Sequence, residues 1–178
     1  MYAYLRLAVL FLKNAVRKRE VFDPSTSYTW TFRPGLADLD VYPEVNNGRH
    51  FVLFDLARYD VALRTGLFRW VRKTRSAFVV AGSTIRYRHR LRPWRRTQIV
   101  TDVVGMDDRF FYFQQRTVQS GRTCSVALIR AGIRKKGVVH PKDVLEGMGL
   151  AIEPFMQPWV AAWNTCCLLY TSDAADDA

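Results

Sequence analysis

The sequence has few of the residues that build covalently or metal-stabilised proteins. It contains 3 cysteines and 3 histidines among 178 residues. The cysteines, Cys124, Cys166 and Cys167, are too few and too unevenly spaced for a disulfide framework or a zinc site. The histidines have no acidic or cysteine neighbour at metal-ligand spacing. We therefore expect no metal, no bound cofactor and a reducing, cytoplasmic compartment.

Long hydrophobic runs and the common catalytic motifs are also missing. Near the N-terminus the longest apolar run is Leu7 to Leu12, far short of the roughly 20 residues that a membrane-spanning helix needs. There is no Gly-x-Ser-x-Gly elbow, no glycine-rich phosphate loop and no dinucleotide fingerprint. Serine-hydrolase, nucleotide-hydrolase and nucleotide-dependent redox chemistry are therefore disfavoured.

What the chain does have is enough apolar residues for a core and an excess of positive charge. Hydrophobic residues make up 49% of the sequence, and 27 Lys and Arg against 16 Asp and Glu give a net charge of +11. Such a charge favours anionic ligands or surfaces. The aromatic-basic signatures of a nucleic-acid module are absent, so no specific nucleic acid partner is expected.

The first 22 residues predict a basic amphipathic helix, with a helical pattern from Tyr4 to Arg19. Leu5, Val9, Leu12 and Val16 share one side of this helix, while Arg6, Lys13 and Arg17 form a basic stripe on the other. Two interpretations stay open. The helix packs on its own domain, or residues 1–20 lie on an anionic membrane surface.

The rest of the chain predicts one strand, one buried helix and then four long strands. Asn46-Asn47 opens the helix, which runs to about Arg64, and Gly66 stops it. This helix is apolar nearly all round, which is typical of a buried helix. Turn residues separate the later strands. The result is an α+β fold in which an antiparallel sheet wraps around a long central helix. The predicted strands are Tyr28–Arg33, Ala77–Leu91, Gln98–Gly105, Arg109–Val118 and Thr123–Arg134.

Four segments follow from these patterns. Residues 1–22 form the N-terminal helix, 23–145 the main domain, and 146–166 an irregular and helical extension, with Trp159 and Trp163 in its irregular part. Residues 167–178 are small and acidic and are similar to a translated sequencing-library adapter, a contaminant of metagenomic sequences. We exclude this last segment from the native fold.

The stretch from Asp38 to Phe51 carries a resemblance to a known family. It reads Asp-Leu-Asp-Val-Tyr-Pro-Glu-Val-Asn-Asn-Gly-Arg-His-Phe, and Phe54-Asp-Leu-Ala-Arg58 follows it. This pattern resembles hotdog-fold acyl-CoA thioesterases of the 4-hydroxybenzoyl-CoA thioesterase type, within the thioesterase-like superfamily. The similar branch is the one that includes vertebrate thioesterase superfamily member 6. The stretch Ile85 to Pro93 also looks like that family.

The resemblance implies a hotdog fold, an acyl-CoA substrate and a homodimer or dimer of dimers. By resemblance, Asp40 is the catalytic carboxylate and the backbone N–H of Asn47 the oxyanion donor. A carboxylate can attack the thioester carbonyl or activate water, and the unpaired N–H groups at a helix start can polarise that carbonyl. Pro43-Glu44 replaces the family's Gly-His, so Glu44 is a possible assisting base.

Further residues near this motif have both functional and structural interpretations. Asn46 and Tyr42 are candidate substrate-binding residues, and Asn46 also suits a helix cap. Asp38 suits a loop or strand end better than a second catalyst. Asp55 lies where some hotdog enzymes keep a catalytic Glu, but an ion pair with Arg58 or Arg49 explains it equally well.

Arginines alternate along the predicted second long strand. Arg86, Arg88, Arg90 and Arg92 fall on one face, and Arg86 and Arg88 are the candidate ligands for the phosphates of coenzyme A. A solvated charged face is the simpler explanation of the same pattern.

The sequence therefore predicts hydrolysis of an acyl-CoA thioester to a carboxylic acid and coenzyme A. Two alternatives remain. One is a hotdog protein that binds acyl-CoA or acyl chains without catalysis, and the other is an interaction protein at the membrane periphery.

Overall fold

The structure is a computed structural model that describes residues 3–168. Of the segment predicted to be adapter-derived, residues 169–178 lie outside the described residues. Within residues 3–168, none of the helices combines the length and the hydrophobicity that a membrane span requires. The helices are α1 (Tyr4–Ala15), α2 (Asn47–Thr65), α3 (Leu67–Thr74), α4 (Pro141–Gly147) and α5 (Pro158–Leu168). The strands are β1 (Tyr28–Phe32), β2 (Ala77–Tyr87), β3 (Thr97–Met106), β4 (Phe111–Gln119), β5 (Arg122–Arg134), β6 (Val138–Val139) and β7 (Phe155–Met156).

The strands form one antiparallel sheet in the order β1-β3-β4-β5-β2, with β6 beside β5 and β7 beside β3. Hydrophobic and polar residues alternate along the four long strands because successive side chains point to opposite faces. One face packs on α2. The predicted order of one strand, a buried helix and four long strands is confirmed, and the strand ends differ from the predicted ones by a few residues.

The second long strand ends earlier than predicted. The N–H groups of both Arg88 and His89 donate to the carbonyl of Cys124, at 2.7 and 3.0 Å, so the regular ladder stops at Tyr87. The prediction that four alternating arginines share one strand face is therefore wrong. Arg86 lies in β2, whereas the later three belong to the loop that follows.

Helix α2 is the buried centre of the fold, as predicted. The Asn46 side chain caps it by accepting a hydrogen bond from the Gly48 N–H at 2.9 Å. Gly66 ends it with φ 82°, a left-handed conformation that glycine adopts without a Cβ penalty. Buried Leu53 and Phe54 of the helix belong to one core cluster with sheet residues such as Ile99. This packing fixes the helix start, and with it the loop that precedes it.

Helix α1 packs on its own domain, but through the face opposite to its apolar stripe. Buried Leu10 joins the core, Arg6 bonds to Asp38, and the Asn14 amide donates to Asp60 at 3.2 Å. The stripe of Leu5, Val9, Leu12 and Val16 is exposed. The docked interpretation of this helix is confirmed, while its regular part ends at Ala15 rather than Arg19.

The C-terminal part is more regular than predicted. Trp159 and Trp163 lie in α5, not in an irregular segment. Val160 of this helix is fully buried against Tyr112 and Leu128, which explains why the segment is ordered. The segment boundaries at residues 22 and 145 stay predictions.

Candidate active site

A tight loop connects the first strand to α2 and carries the predicted catalytic residues. The Asp40 N–H donates to the Glu44 carbonyl at 3.1 Å, and the Asn46 N–H donates to the Asp38 carbonyl at 2.9 Å. A β-bridge between Leu39 and Val45 lies between these bonds. The loop therefore folds back on itself as a small hairpin, which places Asp40 across from Glu44 and ends at the first turn of α2.

Asp40 is half-buried and lightly bonded. One carboxylate oxygen, Oδ1, accepts the Tyr42 N–H at 2.9 Å, which is a short-range turn within the loop. Within residues 3–168 no arginine or lysine forms an ion pair with it. An ionised carboxylate with spare acceptor capacity can take a proton from water or attack a carbonyl.

Asp38, the other acid of the motif, has a structural role. Its side chain is 1% exposed and accepts two hydrogen bonds from Arg6, at 2.6 and 2.8 Å, and one from Arg49 at 3.2 Å. Burial by itself raises the pKa of Asp38. The donors from Arg6, from the Gly35 N–H and from Arg49 outweigh that effect, and the pKa is lowered overall. Asp38 thus ties α1 and α2 to the loop, in line with its loop interpretation.

Glu44 is paired rather than free. Its Oε2 atom lies 3.0 Å from Nε of Arg90, without the alignment of a hydrogen bond. The Arg90 side chain is 81% exposed, so solvent screens this ion pair. The pair joins the loop before α2 to the loop after β2, and the Val45 N–H adds a bond to the Leu91 carbonyl at 3.0 Å. An assisting role for Glu44 in catalysis stays a prediction.

The start of α2 leaves one backbone donor unused. Asn47 is the first helical residue, and no hydrogen bond from its N–H to an acceptor within the described chain is formed. The neighbouring Gly48 N–H is taken by the Asn46 side chain, and the Arg49 N–H by the Asn46 carbonyl. The Asn47 carbonyl accepts the Tyr87 hydroxyl at 3.0 Å, which anchors the turn to β2. An unpaired N–H at the positive end of a helix dipole can stabilise a developing oxyanion.

An apolar cavity of about 160 Å³ lies between α2 and the sheet, with Asp55 and Arg58 on its wall. Asp55 pairs with Arg58, and Arg58 donates to the buried Gln115 amide oxygen at 2.5 Å. Burial raises the pKa of Asp55, and the Arg58 charge opposes this rise. Of the two ion-pair partners suggested for Asp55, Arg58 or Arg49, the structure shows the pair with Arg58. The apolar lining is Phe22, Val61, Ala62, Leu67, Phe78, Val79, Val80, Phe111, Phe113, Ala131, Leu145 and Met148, and Tyr59 completes the wall.

His50 occupies a buried polar position below the loop. Its Nδ1 atom lies 3.1 Å from the Ser125 hydroxyl, and Ser125 donates to Thr117 at 2.9 Å. Burial lowers the pKa of His50 to about 4, so the ring is neutral near pH 7. Its edge contacts the Tyr87 ring at 5.1 Å between centroids. We assign His50 a packing role, since its polar partners lie in the core.

The arginines lie differently from the sequence-based expectation. Arg86 and Arg88 are exposed, and neither forms a hydrogen bond or ion pair through its guanidinium within the described chain. A second, open cavity of about 410 Å³ is instead lined by later arginines. No sequence pattern indicates this cavity, because its two loops are about 50 residues apart and meet only in the fold. Its lining is Tyr42, Pro43, Glu44, Arg90, Arg92, Pro93 and Arg95.

Metal binding has no structural support in the part of the chain that is described. Within residues 3–168, no three His, Cys, Asp or Glu side chains gather at distances suited to a metal ion. Cys124 is buried in β5, as predicted for a core residue, and Cys166 is exposed.

Comparisons with known proteins agree with this fold. The family model of the thioesterase-like superfamily matches residues 34–162. Protein THEM6 of Drosophila melanogaster is 30% identical over 146 residues, covering 80% of this chain and 70% of that protein. The chain belongs to the thioesterase-like superfamily. Protein THEM6 of Xenopus laevis is 42% identical over 81 residues, which cover 46% of this chain but only 39% of the Xenopus protein.

Solved structures place the chain in the hotdog fold, as the motif implied. The probable thioesterase YbaW of Escherichia coli superposes with a TM-score of 0.61 at 22% identity, covering 68% of this chain and 98% of YbaW. Protein SAV2348 of Staphylococcus aureus, solved in complex with CoA, superposes with a TM-score of 0.63 at 7% identity, covering 79% of this chain and 94% of SAV2348. At these identities the similarity establishes the fold alone.

Proposed function

We propose that this hotdog protein hydrolyses an acyl-CoA thioester to a carboxylic acid and coenzyme A. The observation that carries the proposal is the loop from Asp38 to Asn47. It combines a lightly bonded carboxylate, Asp40, with an unpaired N–H at the start of α2. Membership of the thioesterase-like superfamily supports the same chemistry.

In the proposed reaction, the Asp40 carboxylate either removes a proton from water or attacks the thioester carbonyl itself. The carbonyl oxygen gains negative charge, and the Asn47 N–H donates a hydrogen bond to it. When Asp40 acts as the base, the deprotonated water adds to the carbonyl carbon, the C–S bond breaks, and the proton held by Asp40 passes to the leaving thiolate of coenzyme A. When Asp40 attacks, the C–S bond breaks to give an acyl anhydride on Asp40 and the thiolate of coenzyme A. Water then hydrolyses this anhydride to the acid and supplies the proton of the thiol. Asn46 fixes the position of the Asn47 donor by capping α2.

We further propose that the apolar cavity beside α2 receives the acyl group. Thirteen of its fifteen lining residues lie in α2, α3, α4 or strands of the sheet, and most are hydrophobic. Burial of apolar surface stabilises an acyl chain by ~25 cal/mol per Å². Asp55 at the cavity wall is paired with Arg58, so we give it a positioning role rather than the catalytic one.

The experiment that tests this function is thiol release from a panel of aliphatic and aromatic acyl-CoAs. We expect turnover on at least one member, with thiol and carboxylic acid formed in equal amounts. A folded protein that binds acyl-CoA but releases no thiol would favour the alternative of a non-catalytic binder, in which the change to Pro43-Glu44 has removed the reaction.

We also propose a homodimer formed through β2. This 11-residue strand is the last of the sheet path, and Val80 on it is 53% exposed. A long unpaired edge strand readily pairs with another strand, and a two-fold axis lets β2 meet its own copy antiparallel. Sedimentation equilibrium should therefore give twice the chain mass of 20.6 kDa. Val80→Lys should shift the equilibrium to the monomer, and a wild-type chain that stays monomeric at every concentration would contradict the proposal.

A second candidate function is contact with a membrane from the cytoplasmic side, supported by the outward face of α1. Leu5, Leu12 and Val16 are 81%, 71% and 89% exposed, so the docked helix turns its apolar stripe to solvent. Lys13 is the next residue after Leu12, and the three basic residues 17–19 come directly after Val16. An apolar stripe beside clustered positive charge suits the surface of an anionic bilayer.

Vesicle sedimentation tests the membrane proposal. We expect the full chain to bind vesicles that contain phosphatidylserine, and to bind pure phosphatidylcholine vesicles less. Leu5→Ser with Leu12→Ser should weaken binding by about tenfold or more, because each buried leucine contributes ~1.5–3 kcal/mol. Leu36→Ser, which alters an exposed leucine outside α1, is the matched control. Equal binding by the α1 variant and the wild type would exclude this role.

A further inference from the structure

The open cavity beside the catalytic loop is a second candidate binding site. One wall is the loop of Tyr42, Pro43 and Glu44, and the other is the loop after β2 with its three arginines. Two contacts hold the walls together, the Glu44–Arg90 ion pair and the Val45 N–H bond to the Leu91 carbonyl. The cavity therefore exists only where these two distant loops meet.

Two of the three guanidiniums in this cavity are unengaged. Arg90 is paired with Glu44, whereas no hydrogen bond or ion pair is formed by the side chains of Arg92 and Arg95 within residues 3–168. Both side chains are exposed. The only carboxylate in the lining is that of Glu44, so the cavity keeps a positive balance of two charges. Guanidiniums bind phosphate oxygens in a bidentate geometry, and two of them suit a ligand with more than one phosphate.

The backbone around these arginines is held in a fixed shape. Trp94, between Pro93 and Arg95, has φ 63°, which is in the left-handed region. Its N–H donates to the Pro34 carbonyl at 2.9 Å, and its carbonyl accepts Nη1 of Arg33 at 3.0 Å. Strained backbone persists where surrounding bonds hold it, and such positions cluster at functional sites. The two arginines are therefore presented by a pre-formed loop.

The aromatic ring of Tyr42 lies in the same cavity as the arginine side chains. Tyr42 lines the same cavity and is 68% exposed, so a planar base can stack on it next to the guanidiniums. A concave site of about 410 Å³ that joins phosphate donors to an aromatic face fits a nucleotide better than it fits a helix of a carrier protein, which needs a broader surface.

We propose that this arginine cavity binds the 3′-phospho-ADP end of coenzyme A, with Arg92 and Arg95 on its phosphates and Tyr42 on its adenine. This assignment rests on the proposed acyl-CoA substrate. It moves the phosphate contacts from Arg86 and Arg88 to the loop beyond β2. The flexible pantetheine arm of coenzyme A holds the phosphates at a distance from the thioester. A phosphate site is therefore expected on the loop that leads to Asn47, and not at Asn47 itself.

A binding measurement tests the assignment without any catalysis. Titration calorimetry with adenosine 3′,5′-bisphosphate, which carries the adenine and two of the three phosphates but no thioester, should show saturable binding to the wild-type chain. The variant Arg92→Ala with Arg95→Ala should bind at least ~10-fold more weakly, because a hydrogen bond to a charged group contributes ~1.5–3 kcal/mol. Arg72→Ala with Lys73→Ala removes the same charge from α3 and serves as the matched control. Equal weakening in both variants would mean attraction by net charge only and would overturn the proposal.

Kinetics give an independent second readout. In the arginine variant, KM for acyl-CoA should rise at least ~10-fold with kcat little changed, because only binding of the nucleotide is lost. KM for the corresponding acyl-pantetheine, which lacks the nucleotide, should be the same in the arginine variant and the wild type. A larger effect from Arg86→Ala with Arg88→Ala, or an effect restricted to acyl-carrier-protein substrates, would overturn the assignment. If the nucleotide binds as expected but no thioester is cleaved, the cavity assignment stands and the hydrolase proposal fails.

Discussion

Asp40→Asn should lower kcat for acyl-CoA hydrolysis by at least ~100-fold, the lower range for loss of a catalytic base. Asparagine keeps an oxygen at Oδ1, so it can still accept the Tyr42 N–H that shapes the loop. The substitution therefore removes the negative charge and the basicity but retains the local turn. We expect an unchanged melting temperature, unchanged binding of acyl-CoA and a loss of thiol release in a continuous spectrophotometric assay.

Two other acids provide the controls for Asp40. Asp38→Asn removes the buried carboxylate charge that accepts hydrogen bonds from both Arg6 and Arg49, so we expect it to lower stability. Asp55→Asn alters the acid on the cavity wall that pairs with Arg58. If Asp55→Asn abolished turnover while Asp40→Asn retained it, the catalytic carboxylate would lie on the helix and our assignment of Asp40 would be wrong.

Asn47→Pro should lower kcat by ~100- to 1,000-fold, the range observed when one oxyanion donor is removed. Proline lacks the backbone N–H, and the first position of a helix tolerates it, because that N–H has no partner within the helix. The residue before it is also suitable. Asn46 has φ −55° and ψ 138°, within the extended region that a following proline requires.

Asn47→Ala is the matched control for the proline variant. It removes the same side chain but keeps the N–H, so we expect it to retain most of the activity. The carbonyl that accepts the Tyr87 hydroxyl is present in both variants. Circular dichroism and the melting temperature establish that α2 has formed. Equal activity in Asn47→Pro and Asn47→Ala, with both folded, would show that this N–H does not stabilise the transition state.

Local patterns explain why much of the fold could be predicted. The Asn46 cap, the Gly66 stop and the apolar surface between them define α2 within a residue at each end. The alternation in the later strands likewise depends on neighbouring residues. The end of β2 was misplaced because alternation continues past Tyr87 in the sequence, while the ladder is ended by two N–H groups that share the Cys124 carbonyl.

Long-range contacts decided the features that the sequence did not predict. In the docked face of α1, Arg6 bonds to buried Asp38 and Asn14 bonds to buried Asp60. The helical pattern alone instead favours burial of Leu5 and Leu12. A basic residue in a docked face cannot be anticipated until its acidic partner is placed in three dimensions.

In the candidate site, too, some features follow from local sequence and others from long-range contacts. Asp40 and Asn47 are implied by the resemblance to the family motif, and both lie on one continuous stretch of the chain. Glu44 is a predicted assisting base, and its ion-pair partner is Arg90, which lies more than forty residues further along the chain. The arginine cavity also needs both loops, so neither the alternation of arginines nor the motif could indicate it.

Mass spectrometry of the products formed in heavy-oxygen water tests the central claim most directly. The full chain is incubated with an acyl-CoA that it binds, and both the carboxylic acid and coenzyme A are quantified. We predict equal amounts of the two products, with one heavy oxygen atom from water in the acid. Acyl-CoA that stays bound and intact, with neither product formed by a correctly folded chain, would contradict a hydrolase at this loop.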